Sequence, residues 1–291
     1  MKILVTGATG THGSTGLAVI RQLLKEGKEV RALVRTIDKR SDTLKELGCE
    51  VIQGDFEDLA SLREALSGID SGFFSYPIKD GILSAAANFA LAAKEAGLKH
   101  VVNNTMVVTM DLSPSPFARQ SFLVEQIFEW AGITTTNLRS GFFYENLLRY
   151  SKEEILHKHK ISWPMGSGDT KLAWITSKDV ALAASALLSN TGNVSKTLYL
   201  TGPDALTFNE VAAICSEVLN IKINYFDAEV DKFISHVSQI ENGNPVIINH
   251  LKGLSGAFRA GKSFGITTET LKTLTNTTGT SFSEFLTNHL K

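Results

Sequence analysis

The first thirteen residues, M-K-I-L-V-T-G-A-T-G-T-H-G, restrict the fold more than any other stretch. The apolar run Ile3-Leu4-Val5 has the length of one strand and stops at Thr6-Gly7. Glycines follow at Gly7, Gly10 and Gly13, and beyond Ser14-Thr15-Gly16 a helical pattern begins. Leu17, Val19, Ile20, Leu23 and Leu24 recur at helical spacing, and Gly27 is placed to end the helix. Strand, glycine turn and helix in that order form the context that a dinucleotide-binding fingerprint requires. In such a turn Gly7 permits the tight bend, Gly10 lets backbone approach a pyrophosphate, and Gly13 lets the helix pack close to the sheet. The N–H groups opening the helix, with its dipole behind them, attract phosphates. Thr9, Thr11 and His12 therefore join the three glycines as expected cofactor contacts.

The pattern repeats. Strands are expected at 30–34, 51–52, 73–76, 100–103 and 133–138, with helices over 38–47, 59–66, 82–96 and 116–130 between them. Asp58 is placed to cap the second of these helices, while Gly48 and Gly68 close the first two. Strands alternating with helices predict an α/β fold with a doubly wound parallel sheet. Beyond Gly141 the alternation loosens: 142–146 lead into a helix, and 163–168 read as a loop. Residues 179–188 form a helix and 198–200 a strand able to rejoin the sheet, while Thr207-Phe208-Asn209-Glu210 reads as a capping box. The expected division is a nucleotide-binding core over 1–145 and a smaller C-terminal α+β lobe over 146–291, with about 172–202 returning to the core.

A net charge of −1 argues against nucleic acid or an acidic membrane as partner, and His157-Lys158-His159-Lys160 reads as a solvated helix end. Cys49 and Cys215 are far apart and have no metal or redox spacing, which points to a reduced, cytoplasmic setting. No apolar run approaches the ~20 residues of a membrane span, and the first run is broken by glycines too early for a signal peptide. His157 and His159 would face apart on a helix, so no metal site is expected, and no nucleophile elbow is present.

The acidic residue that binds the ribose 2′-hydroxyl of NAD is expected ~20 residues past the glycines, at the end of the second strand. That position holds Arg35, followed by Thr36, Lys39 and Arg40. A guanidinium fork suits a 2′-phosphate, so the expected cofactor is NADP(H). Asp55 ends the third strand beside Phe56, where its carboxylate can meet the adenine amino group or cap a turn. Ser75, Tyr76 and Pro77 end the fourth strand, and Asn103, Asn104 and Thr105 the fifth, so these should flank the cofactor.

Taken in order, these segments resemble the NmrA-like branch of the atypical short-chain dehydrogenase/reductases. The likeness rests on Gly7-Ala8-Thr9-Gly10-x-x-Gly13, Ala32-Leu33-Val34-Arg35, Gly54-Asp55-Phe56 and Glu125 before Trp130-Ala131-Gly132-Ile133. It continues through Leu138-Arg139-Ser140-Gly141-Phe142, Phe143-x-Glu145-Asn146, Trp174-Ile175 before Asp179-Val180-Ala181, and Leu200-Thr201-Gly202-Pro203. The resemblance implies a Rossmann domain with a small C-terminal lobe, and NADP(H) in preference to NAD(H). It also implies one of two activities: reduction of quinones, azo dyes or related acceptors, or redox sensing without turnover.

The wider superfamily protonates a carbonyl with a Tyr, assisted by a Lys four residues later and a strand-five hydroxyl. Counted back from Glu125, those two positions hold Phe117 and Ser121, neither of which can serve. Thr105 stands for the strand-five hydroxyl, Arg119 and Gln120 lie near the ribose position, and Tyr76 and Tyr144 are the alternative proton donors. Thr105 and Tyr144 are the catalytic candidates. Losing the Tyr–Lys pair disfavours carbonyl reduction and a nucleotide-sugar epimerase alike. It leaves quinone reduction open, because a phenolate-type product can take its proton from water and transfer needs mainly alignment of two rings. Met106, Phe142, Phe143 and Tyr144, with Trp163, are the expected walls of such a pocket. The favoured reading is an NADPH-dependent oxidoreductase passing hydride to a quinone-like or other planar small-molecule acceptor. The alternative is a non-catalytic NADP(H)-binding redox sensor, and a homodimer is left open.

Overall fold

In the computed structural model, which describes residues 1–10, 15–190, 192 and 195–291, the first half alternates strand and helix. It runs β1 (Lys2–Val5), α1 (Thr15–Lys25), β2 (Glu29–Val34), α2 (Lys39–Glu46), β3 (Glu50–Gln53), α3 (Leu59–Leu66), β4 (Ser71–Phe74), α4 (Ile82–Glu95), β5 (His100–Met106), α5 (Pro116–Trp130) and β6 (Thr135–Ser140). The second half runs β7 (Phe142–Phe143), α6 (Tyr144–Lys158), β8 (Lys160–Trp163), β9 (Leu172–Ile175), α7 (Ser177–Ser189), β10 (Lys196–Leu200), β11 (Ala205–Leu206), α8 (Phe208–Leu219), β12 (Asn224–Asp227), α9 (Val230–Ile240), α10 (Pro245–Arg259), α11 (Thr270–Thr275) and α12 (Phe282–Leu290).

Seven strands form one parallel sheet in the order β10-β6-β5-β4-β1-β2-β3. β1, inside this sheet, is apolar on both faces, as a sheet covered on both sides demands. In β1, Ile3 and Val5 join Val19, Ile20, Leu23, Val180 and Leu187 beneath α1 and α7. Leu4 points the other way, into Leu62, Phe74, Phe89, Val101, Val124 and Phe128 beneath α3, α4 and α5. This is a Rossmann-type doubly wound fold. β1 has β2 on one side and β4 on the other, so the winding reverses there and a crevice opens at the carboxyl ends of the strands.

The lobe has its own core, in which Tyr144, Trp174, Phe208, Phe282 and Phe285 are buried together. It carries two small sheets, β11-β9-β7 and β12-β8. The expected capping box opens α8: the Glu210 N–H donates to Thr207 Oγ1 (3.1 Å), and the Thr207 N–H donates to Glu210 Oε2 (2.8 Å).

Some element limits differ from the pattern. β4 begins at Ser71 and ends at Phe74, placing Ser75 and Tyr76 beyond the strand. Gly72 hides its start, since a residue without a side chain adds nothing to an apolar run; its missing Cβ leaves room for Leu98 and Phe89. β6 runs on to Ser140 because its polar members find partners: Asn103 Nδ2 donates to Asn137 Oδ1 (2.9 Å), and Arg139 pairs with Glu125. Residues 172–175 join the small β11-β9-β7 sheet, whereas α7 covers the large sheet and β10 extends it next to β6. The segment expected to be a loop around Trp163 includes β8, paired with β12.

Candidate active site

A cleft of about 610 Å³ follows the carboxyl ends of β1, β2, β4 and β5 and continues to the start of α6 and the side of α10. At its near end the turn after β1 is held by Thr6, whose Oγ1 donates to the Ser75 carbonyl (3.1 Å) and accepts from the Ser75 N–H (2.8 Å). Gly7 has φ +73°, and a Cβ there would lie 2.9 Å from the Ser75 carbonyl oxygen, so both conformation and space require glycine. The Gly10 N–H donates to the Gly7 carbonyl (3.3 Å). The close approach of α1 to this turn occurs at Gly16, where a Cβ would sit 2.7 Å from Ala8 N. Gly16 was legible only as one more glycine in the first helical turn. Thr11, His12 and Gly13 lie outside the described residues.

Arg35 stands exposed at the end of β2 and lines the cleft with Thr36 and Arg40. Arg40 pairs with Asp38, the N-cap of α2 (2.6 Å), and its Nη1 donates to the Thr9 carbonyl (3.3 Å). The end of β2 therefore carries two guanidinium groups, one tied to the glycine turn. Asp55 lines the cleft while its Oδ1 accepts the Glu57 N–H (3.0 Å), so it closes a turn. Phe56 packs against Phe74 (5.6 Å between ring centroids) and Tyr76 (5.5 Å), presenting an aromatic wall. Tyr76 donates its hydroxyl to the Asp80 carbonyl (2.8 Å). Burial, then the charges of Glu57 and Asp55, push its phenol up to about 12. With its proton on the Asp80 carbonyl, Tyr76 forms the rim of the cleft together with Pro77.

Across the ends of β4, β5 and β6 a polar ladder spans the floor. Asn104 Nδ2 donates to Ser75 Oγ (3.4 Å), and its Oδ1 accepts from Ser140 Oγ (3.3 Å). Asn103 is tied sideways to Asn137, as above. Thr105 lines the cleft, but its hydroxyl donates to Glu125 Oε1 (3.2 Å). Glu125 in turn holds Arg139 through two bonds of 3.0 and 2.6 Å. The Thr105 proton is thus directed to Glu125 of a buried ion pair, and the strand-five hydroxyl is tied to α5. Phe117 and Ser121 also line the cleft, and Ser121 Oγ donates to the Phe117 carbonyl (3.0 Å).

The far end is apolar, with Met106, Phe142 and Phe143 among its walls. Tyr144 is not one of them. Its side chain is fully buried in the core of the lobe, stacked on Trp174 (5.6 Å, 8°) and Phe285, and its hydroxyl donates to Asp204 Oδ2 (2.7 Å). Burial and the Asp204 carboxylate lift the phenol far above its ordinary range. Tyr144 is a core residue of the lobe, neither proton donor nor pocket wall. Trp163 is likewise absorbed, its Nε1 donating to Ser151 Oγ (2.7 Å) and its ring against Phe233 and Phe208.

Two cleft residues carried no expected role. Asn146, in the first turn of α6, has a buried Oδ1 without a hydrogen-bond partner, an acceptor that an occupant's N–H or O–H would satisfy. His250 comes from α10, over a hundred residues from α5, and its Nδ1 lies 2.6 Å from Ser115 Oγ. Asn146 closes the Phe143-x-Glu145-Asn146 segment and was visible there, whereas nothing around His250 marked it.

The NmrA-like family model matches residues 1–286. An NAD(P)H azoreductase of Xenophilus azovorans is 34% identical over 223 residues, which are 77% of this chain and 76% of that protein. Among solved structures, the NADPH-dependent quinone oxidoreductase of Escherichia coli complexed with NADPH aligns over 100% of both chains, with TM-score 0.86 and 26% identity. The Citrobacter sp. triphenylmethane reductase complexed with NADP(H) also aligns over 100% of both chains, with TM-score 0.85 and 25% identity. The winding of the sheet, the glycine turn and the match along nearly the whole sequence agree: the chain belongs to the NmrA-like family.

Proposed function

We propose that this chain binds NADP(H) along the sheet end of the cleft and reduces a conjugated acceptor of the quinone class at the other end. The observation that carries the reading is the contrast between the two ends of one continuous cleft. Arg35 and Arg40 stand at the first, while Met106, Phe117, Phe142, Phe143 and Leu254 wall the second. A dinucleotide suits the near end because Gly7 and Gly16 let the turn after β1 close tightly against Ser75 and the start of α1, and Asn146 Oδ1 offers an acceptor deeper in. The azo, quinone and triphenylmethane reductases among the relatives support a conjugated acceptor.

NADPH, when bound, supplies a hydride. The chain's own residues bind, orient and exclude water. The N–H groups opening α1 would take the pyrophosphate, and Arg35 with Arg40 would hold the 2′-phosphate. Asp55, Phe56, Ser75, Tyr76, Pro77, Asn103 and Thr105 flank the remainder of the cofactor. Residues 1–145 hold it, and the lobe from 146 onward closes the acceptor end through Asn146, His250 and Leu254. The apolar walls hold two flat rings face to face in a dry space, and this alignment is the main source of rate.

Purified protein should oxidise NADPH only when a quinone or azo acceptor is added, with NADPH binding checked in parallel by fluorescence. Binding without turnover of any acceptor would overturn the reductase reading. That outcome would favour a non-catalytic NADP(H) sensor, the reading that Phe117 and Ser121 at the usual Tyr and Lys positions support.

A further inference from the structure

The loop that follows β4 lines the cleft continuously from Ser75 to Asp80. It is a compact body and not a slack connection. Tyr76 donates its hydroxyl to the Asp80 carbonyl (2.8 Å), the Lys79 N–H donates to the Pro77 carbonyl (2.8 Å), and the Lys79 ammonium lies 5.3 Å over the Tyr76 ring. Gly81 ends the loop at φ +93°, where a Cβ would come 3.0 Å from Tyr76 Oη. Ile78, in the middle, belongs to both halves of the molecule. It packs against the cluster that holds Phe74 and Phe117 in the core, and against the one that holds Tyr150, Phe233 and Ile247 in the lobe.

A hydrogen bond completes the join. Asn244 is the N-cap of α10, and its Oδ1 accepts the Val246 N–H (3.0 Å) and the Ile247 N–H (3.4 Å). Its Nδ2 donates to the Ile78 carbonyl (2.8 Å). Backbone N–H groups only donate and a carbonyl only accepts, so one orientation of the amide satisfies all three partners. A single side chain thus caps the helix and ties it to the loop.

The tie has a consequence for the acceptor end, because α10 supplies His250 and Leu254 to the cleft. The same helix is held at a second place. A Cβ at Gly253 would lie 2.2 Å from the Pro114 carbonyl oxygen, so α10 rests directly on the loop before α5. Asn244 and Gly253 are about 13 Å apart at the rise of an α-helix. A rod held at one point can pivot, and a rod held at two cannot.

Resting on the reductase reading above for what fills each end, we propose that Asn244 is a positioning residue of the acceptor site. It fixes the α10 wall to the loop that borders the nucleotide. NADP(H) seated against Tyr76 and Pro77 stiffens that loop and, through Asn244, the helix on which the acceptor leans. The acceptor then gives up less freedom on binding, and by reciprocity it holds the nucleotide more tightly by the same factor. The nicotinamide ring takes no part in this coupling, which separates it from direct stacking of the two guests.

The test uses 2′-phospho-ADP-ribose, which fills the nucleotide end and lacks the nicotinamide ring. Hydrogen exchange of the backbone amides is followed with and without it in wild type, Asn244→Asp and Asn244→Ser. Asp keeps the capping oxygen and loses the donor, whereas Ser keeps a cap on a side chain too short to serve Ile78 as well. Circular dichroism and thermal melting check that both variants fold. In wild type the nucleotide should slow exchange in α10 by about 3- to 10-fold, and in both variants that slowing should vanish. Exchange at the start of α1 should slow alike in all three proteins. With NADPH and a naphthoquinone, KM for the quinone should rise about 5- to 20-fold in both variants, with kcat changed less than about twofold. Slowing confined to α1 in wild type, or equal slowing of α10 in all three, would overturn the proposal and leave Asn244 a helix cap. An unchanged KM would overturn it too. Failure of wild type to reduce any quinone would instead overturn the reductase reading, and the exchange pattern would still decide whether loop and helix are coupled.

Discussion

At the scale of single residues, Arg35 gives the sharpest consequence. It stands exposed where β2 enters the cleft, with no acidic residue at its position to meet a ribose hydroxyl. A charged hydrogen bond is worth about 1.5–3 kcal/mol, so Arg35→Ala should weaken NADPH binding about 10- to 100-fold and NADH binding at most about twofold. Equilibrium titration of both nucleotides checks this, and equal losses would remove the 2′-phosphate assignment. The places of Arg35 and Gly7 at the cleft were legible because each stands at a strand end that its neighbours dictate. Tyr144 was not. It follows Phe142 and Phe143, which line the cleft, yet its ring is fully buried in the lobe core against Trp174, Phe282 and Phe285. A run of three aromatic letters does not say which of its rings the core will take.

At the scale of elements, the sheet was readable wherever apolar runs ended in glycine, and less so where polar residues sit inside it. β5 and β6 show why. Their pairing buries His100, whose Nε2 lies 2.9 Å from Thr136 Oγ1, together with the Glu125–Arg139 pair just beyond. Burial, aided by the charge of Lys196, lowers the imidazole to about 4 from its ordinary 6.5. The folded form therefore refuses a proton that the unfolded chain accepts. The stabilisation is complete above pH 6.5 and is lost as pH falls towards 4, amounting to up to about 3 kcal/mol. Denaturant titrations at pH 7 and pH 4.5 should show this loss in wild type, and His100→Asn should show a smaller one. An unchanged difference in the variant would assign the acid sensitivity elsewhere.

At the scale of the whole molecule, the cofactor end of the cleft is built from residues close together in sequence, and the acceptor end is not. Among the described residues, the contacts of the glycine turn come from the neighbouring strand end at Ser75, from the start of α1 and from Arg40 of α2. The far wall depends on α10 meeting the loop before α5, a contact between residues 135 apart whose fit rests on the bare backbone at Gly253. Such a pairing leaves no periodicity or motif in either segment, which is why His250 escaped the sequence. Gly253→Ala would force α10 off Pro114, at a stability cost of about 1–3 kcal/mol for overpacking. We expect acceptor turnover to fall while NADPH affinity stays nearly constant, since the proposed nucleotide contacts lie on the sheet. Steady-state kinetics combined with NADPH titration would show the split, and parallel losses in both would mean that the halves do not act separately.

The unbroken course of the cleft from Arg35 to Leu254 also governs the order of traffic. A continuous trough has no partition behind which one guest could react and leave before the other enters. If the acceptor rests against the ring that donates to it, the long nucleotide forms part of its seat and must arrive first and depart last. The enzyme would then be a queue with two places, in which the second visitor is recognised partly by the first.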